Sequence, residues 1–250
     1  FDDSMTNEQI DFKIANIKAV NYIRIGEEMK AEMIVLEYRD NKEGFLNLVN
    51  RVNESGLDVT HIIVCEDVDI AKEAIERGAD VTLITGPTNL TPPQNLKKLV
   101  KIESAKDMYE AVLENLDEND VVIKSAAVAD YKPKNYSNKK IKKSDDDLVI
   151  ELDRNKDIAQ EIGKIKNNKI LVGFAAETND LIENASLKIK KKNLDFIVAN
   201  DLTKEGAGFG VDTNIVKIID KEGNITEYPK MKKEEVANII LDKIKELLSV

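Results

Sequence analysis

Val121-Val122-Ile123-Lys124-Ser125, running without a break into Ala126-Ala127-Val128-Ala129-Asp130-Tyr131, is the stretch on which the reading of this chain turns. The first five residues read as a short, buried strand. A near-continuous apolar run of that length, rather than an apolar–polar alternation, is expected where helices cover both faces of a sheet. The small residues that follow lie at the strand's carboxyl end, where a flat ligand can approach the backbone. Asp130 offers a carboxylate there to a base edge, a ribose or a metal. Small residues at a strand end also serve packing alone, so this stretch by itself indicates a fold class and not an activity.

Outward from that strand the chain alternates. On its amino-terminal side, short β-branched runs at Met33 to Tyr38, Val59 to Cys65, Asp80 to Thr85 and Leu99 to Ile102 alternate with helical patterns at Gly44 to Glu54, Ile70 to Arg77 (ended by Gly78) and Ala105 to Leu116. On the other side come strands at Ile170 to Phe174, Phe196 to Ala199 and Ile215 to Ile219, with helices at Leu181 to Lys192 and Lys233 to Leu248. Such alternation predicts an α/β, Rossmann-like parallel sheet with helices on both faces and ligands at the carboxyl ends of the strands. Residues 131–152 interrupt it. The Lys-rich excursion from Tyr131-Lys132-Pro133-Lys134 to an alternating strand at Leu148 to Leu152 predicts a projecting β arm, suited to pairing with a second subunit.

Composition narrows the function classes. The 250 residues are 42% hydrophobic, enough for a sizeable core. A formal charge of −10 argues against general nucleic-acid binding, because phosphate backbones would be repelled unless a basic patch acted locally. No run of about 18 apolar residues is available to span a bilayer, and Phe1-Asp2-Asp3-Ser4 lacks the pattern of a signal peptide, so a cytoplasmic protein is expected. One cysteine, Cys65, and one histidine, His61, exclude an internal disulfide and make a zinc site or a Ser-His-Asp triad improbable; His61 reads as a strand residue. No GxGxxG follows a strand, which argues against a dinucleotide oxidoreductase.

Three further clusters carry chemistry. Lys139-Lys140-Ile141-Lys142-Lys143 can focus a triphosphate within an acidic protein, each charge-assisted hydrogen bond contributing about 1.5–3 kcal/mol. In Gly173-Phe174-Ala175-Ala176-Glu177-Thr178 the glycine permits close approach and Phe174 can stack on a base. Lys188 and Lys192, four apart, share one helix face. Gly206-Ala207-Gly208-Phe209-Gly210, with Asp212-Thr213-Asn214, is a glycine-rich loop without the ending of a P-loop.

Ala-Ala-Val-Ala-Asp-Tyr at 126–131, Lys-Ile-Lys-Lys at 140–143, Gly-Phe-Ala-Ala-Glu-Thr at 173–178, Val-Ala-Asn-Asp at 198–201 and Gly-Phe-Gly-Val-Asp-Thr-Asn at 208–214 occur in one order. Together they resemble phosphopantothenoylcysteine synthetase (phosphopantothenate-cysteine ligase), over residues about 70–250. The resemblance implies a ligase of coenzyme A biosynthesis, joining 4′-phosphopantothenate to cysteine through an acyl-cytidylate, with CTP as co-substrate, Mg²⁺ and a homodimer. It implies nucleotide-binding positions at Ala126, Asp130, Lys140, Phe174, Lys188 and Lys192. Asn155-Lys156-Asp157-Ile158 matches the family's Asn-Pro-Asp-Ile with lysine in place of proline, which adds Lys156, Asp157, Ile158 and the adjoining Ala159. Lys140 is the residue expected to stabilise phosphate charge during catalysis.

The family's glycine-containing phosphate loop and its Asn-Arg-Ser-Ser-Gly-Lys-Met type loop have no counterpart between Cys65 and Ile70. Glu66, Asp67 and Asp69 stand there instead, where they would repel an anionic substrate. Residues 1–58 form an extra segment beside a synthetase-like domain at 59–250, with Met33 to Cys65 faintly similar to ACT-type sensing domains. Two functions therefore stay open: an active ligase, or a catalytically impaired nucleotide-binding or regulatory module that keeps the CTP pocket.

Overall fold

The computed structural model describes residues 60–135, 137, 139, 149–177, 181–201 and 212–249. The strand and helix expected at Met33 to Tyr38 and Gly44 to Glu54, and the extra segment 1–58 as a whole, lie outside the described residues.

Eight strands form the main sheet: β1 (His61–Cys65), β2 (Asp80–Thr85), β3 (Lys98–Lys101), β4 (Val121–Lys124), β7 (Ile170–Glu177), β8 (Phe196–Asp201), β10 (Val216–Asp220) and β11 (Ile225–Glu227). Their order is β11-β10-β8-β7-β4-β1-β2-β3. The six from β8 to β3 are parallel, and β10 and β11 extend the sheet antiparallel. The antiparallel edge goes beyond the purely parallel sheet expected from the alternation: β10 runs against β8, and Gly223 (φ 89°) then turns the chain from β10 back into β11 through a short hairpin.

Alternation along the central strand divides the core. Ile62 and Val64 of β1 pack toward α1 (Val68–Glu76) and α5 (Lys233–Leu248), while Ile63 and Cys65 face α2 (Ala105–Leu116), α3 (Ile158–Ile165) and α4 (Leu181–Lys192). Both faces are therefore covered, and the strands can be apolar throughout. Polar ties fix the layers. Arg77, just after α1, donates to Asn238 and Asp242 on α5 at 2.6–3.0 Å, and Lys166, just after α3, pairs with Asp195 at 2.6 Å.

Helices α2, α4 and α5 have the bounds expected from the sequence, and β2 does as well. Helix α3 has no counterpart among the expected elements. Its start is nonetheless local chemistry: the Asp157 carboxylate accepts the Gln160 amide at the amino-terminal cap, and Ile158, Ala159 and Ile162 supply the buried stripe.

Among the described residues at and beside the interruption at 131–152, β5 (Tyr131–Pro133) and β6 (Leu152–Arg154) pair as a two-stranded antiparallel ribbon. Of the strand expected at Leu148 to Leu152, Leu148 lies outside the described residues, and of the rest only Leu152 is in a strand, because pairing with Tyr131–Pro133, and not side-chain alternation, sets where the ladder forms. Two short strands, β9 (Thr213–Asn214) and β12 (Met231–Lys232), pair beside α5. No described helix is long and apolar enough to cross a membrane.

Candidate functional site

Strand β1 sends the chain to β2 on one side, and β4 sends it toward β7 on the other, so the sheet's switch point lies between β1 and β4. In open α/β sheets this divergence opens a crevice beyond the carboxyl ends of the strands. Two cavities occupy that end of the molecule. The first, about 450 Å³, is walled by Glu66–Ile70 from the β1–α1 turn, Ser125–Ala127 from the β4 exit, and Phe174, Asn200 and Lys233. The second, about 420 Å³, lies between the ribbon and α3, walled by Asp130, Tyr131, Arg154 to Asp157, Gln160, Glu161 and Lys191.

The first cavity has an acidic mouth. Glu66 holds a left-handed backbone (φ 70°), a conformation in which glycine is at ease and glutamate is strained, and its amide donates to the Ile84 carbonyl at 2.9 Å. Asp67 caps α1 by accepting the Ile70 amide at 3.0 Å; burial pushes its carboxyl up, and that hydrogen bond only partly opposes the rise. The side-chain oxygen of Asn200 is buried without a hydrogen-bond partner. Cys65, at the end of β1, is fully buried and pushed up to about 12, so its thiol is inert at ordinary pH.

Built differently, the second cavity mixes both signs of charge. Asn155 anchors its floor, donating from its backbone to the Asp130 carbonyl at 2.8 Å and from its side chain to the Ala129 carbonyl at 2.9 Å. Lys156 lies over the Tyr109 ring at 4.3 Å, a cation–π contact that holds a lysine where the family pattern has proline. Asp157 pairs with Lys192 at 3.0 Å. Burial alone would raise its carboxyl, but the hydrogen bonds from Lys192 and Gln160, with the charges of Lys192 and Lys124, outweigh burial and hold it below the usual range.

The expected nucleotide-binding residues thus divide. Ala126 and Phe174 line the first cavity, and Asp130, Lys156 and Asp157 line the second. Lys192 reaches the second through Asp157, and Lys188 is half-buried one turn earlier on α4. The side chains of Ile158 and Ala159 are buried in the core, so these two can offer a ligand only their backbone in the first turn of α3. Lys140 lies outside the described residues, as does most of the loop at 206–214. Sequence reasoning missed Arg154 and Lys191, which line the second cavity, and Lys124, which bonds the carbonyl of Ala126 in the first cavity's wall and feels the charges of Glu66 from the first and Asp157 from the second. A lysine closing an otherwise apolar core strand was the available signal for Lys124.

Residues 67–248 match the DNA/pantothenate metabolism flavoprotein C-terminal domain. The coenzyme A biosynthesis bifunctional protein CoaBC of Bacillus subtilis (strain 168) is 49% identical over 175 residues, which cover 70% of this chain and 43% of that protein. A cysteine/cysteine sulfinic acid decarboxylase from an unknown prokaryotic organism is 47% identical over 178 residues, 71% of this chain and 50% of the relative. The chain therefore spans about half the length of these curated relatives or less. Among solved structures, the C-terminal domain of a coenzyme A biosynthesis bifunctional protein CoaBC superposes with a TM-score of 0.65 at 36% identity, covering 78% of this chain and 98% of that one. With the matched segment spanning α1 through α5, and the five sequence motifs falling within it, the chain belongs to the DNA/pantothenate metabolism flavoprotein C-terminal domain family.

Proposed function

We propose that the chain is a CTP-dependent ligase joining 4′-phosphopantothenate to cysteine through an acyl-cytidylate, acting in the cytoplasm in coenzyme A biosynthesis. The observation that carries this reading is the convergence of separate segments at one sheet end: the β4 exit, Asn155 to Asp157, and the α4 lysines gather around two neighbouring cavities. The 49% identity to a protein named for coenzyme A biosynthesis supports it.

A carboxylate is a poor electrophile, and transfer of a nucleotidyl group to it gives an anhydride that an amine can open. In this reading Phe174 and Ala126 bound the acyl side, while Asp130, Lys156 and the Lys191–Lys192 end of α4 hold the nucleotide. Lysines there, together with Lys140 as the resemblance implies, neutralise phosphate charge as pyrophosphate departs. Mg²⁺ belongs to this reading as part of the nucleotide substrate, ligated mainly by phosphate oxygens with one or two carboxylates. That fits the donor set, since no group of three or more His, Cys, Asp or Glu side chains among the described residues could form a protein cage. The test is pyrophosphate release from CTP in the presence of phosphopantothenate and cysteine. The parent should turn over and Lys140→Ala should lose about 100-fold or more; equal rates for the two would remove the enzymatic claim.

One observation favours a second reading, a nucleotide-binding or regulatory module without turnover: Glu66, Asp67 and Asp69 place acid where an anionic substrate would sit. Calorimetry showing tight CTP binding without acyl-cytidylate formation would select it.

We also propose a homodimer joined through the ribbon. Val149, Ile150 and Leu152 are 81%, 63% and 56% exposed, and Tyr131, on the strand paired with Leu152–Arg154, is 48% exposed. Apolar surface so concentrated on one projection suits contact with a second copy. Replacing Val149 and Ile150 together by lysine should halve the mass measured by sedimentation equilibrium; an unchanged mass would place the dimer contact elsewhere or refute it.

A further inference from the structure

Lys124 ends β4 at the switch point, opposite Cys65 of β1 and Gly173 of β7. Alternation puts its side chain on the same face as Val122, which packs in the core against α2, α3 and α4, so an apolar residue would be the unforced choice there. Its ammonium instead donates to the Ala126 carbonyl, bracing the turn that leaves β4. On the neighbouring side of the same turn, the Ser125 hydroxyl donates to the Cys65 carbonyl, tying the β4 exit to the end of β1. The charged groups that face Lys124 come from both cavities: Glu66 from the first, Asp157 from the second, and Lys192 from α4 behind Asp157. Cys65 also faces it, but as a neutral thiol.

We propose that Lys124 is a positioning residue for the ligase reaction: its ammonium holds the Ala126 turn and sets a positive charge at the partition between the cavities, where acyl group and nucleotide must meet. This inference rests on the ligase reading above. An acyl carboxylate on one side of the turn and an α-phosphate on the other repel each other before they react, and a fixed cation between them offsets that repulsion without reorganisation. The same ammonium offsets the partial negative charge of the Ala126 carbonyl to which it donates. Burial depresses the Lys124 ammonium first of all; Lys192 lowers it further, while Asp157 and Glu66 pull it back up. The protonated form is therefore lost, as pH rises, earlier than for an ordinary lysine.

Lys124→Met keeps the stem and removes the charge, and Lys124→Arg keeps a charge that does not titrate in the working range. In the full chain, with pyrophosphate release followed from pH 6 to 10, Lys124→Met should lower kcat by about 100-fold while the CTP dissociation constant from calorimetry stays near that of the parent. Lys124→Arg should recover part of the rate and move the alkaline limb of kcat upward; a merely structural lysine would leave that limb in place. Parent-like kcat in Lys124→Met, or one alkaline limb shared by parent and Lys124→Arg, overturns the inference while the ligase reading stands. A folded parent with no turnover at all overturns both.

Discussion

Asp195→Ala should lower folding stability by about 3–5 kcal/mol, the cost of leaving one member of a buried ion pair without its partner. One carboxylate oxygen of Asp195 accepts both from Lys166 at 2.6 Å and from the Leu171 amide at 2.7 Å. The side chains of both partners are largely shielded, 7% exposed for Lys166 and 12% for Asp195. Without the carboxylate, the Lys166 ammonium retains the Lys169 carbonyl at 3.1 Å, too little to compensate a buried charge, and the Leu171 amide of β7 loses its acceptor. Urea unfolding followed by circular dichroism measures the loss. Asp195→Asn should be milder, because an amide oxygen can still accept from Leu171. A loss below about 1 kcal/mol for Asp195→Ala would mean that solvent reaches Lys166 and that the pair does not anchor the α3–β7 connection.

Gly163→Ala should act on stability and on ligand binding together. A methyl group at Gly163 would lie 1.9 Å from the Lys192 carbonyl oxygen and 2.8 Å from its carbon. Both obstacles are backbone, so no rotamer change relieves them, and α3 must move away from the end of α4. Overpacking of this kind costs about 1–3 kcal/mol. The displaced parts are those that wall the second cavity: Asp157 and Gln160 at the start of α3, and Lys191 and Lys192 at the end of α4. The Asn193 side chain, which donates to the Gly163 carbonyl at 2.8 Å, would be shifted with them. CTP affinity by calorimetry should therefore fall along with the melting temperature. A variant that keeps both would show that the two helices slide apart without cost to the cavity. One that loses stability and keeps affinity would remove this cavity from the nucleotide site.

How much of this could be read from the chain depends on the range of the interactions involved. The αβ alternation was legible because each element carries its own signal. Ala105 to Leu116 has a serine cap and a helical apolar stripe, and Asp80 to Thr85 is a β-branched run after a glycine turn. The five motifs identified the family for the same reason, each being a contiguous string. The second cavity was only partly legible. Asp130 and Asp157 are 27 positions apart in the chain yet share a wall, and no local pattern joins them to Arg154 or Lys191. Ile158 and Ala159 belong to a motif and still point into the core, since a contiguous match does not say which side of a helix its residues occupy.

By itself, then, the sequence determined the layered α/β class, the family, and which side chains were chemically worth following, because patterning and motifs act over a few neighbouring residues. Only the tertiary structure decided the strand order that puts β1 beside β4, the division of the expected binding residues between two cavities, and the bond of Lys124 to the Ala126 turn among charges from both. Those facts arise from the packing of segments distant in the chain, where register, burial and neighbouring charge give a lysine its surroundings.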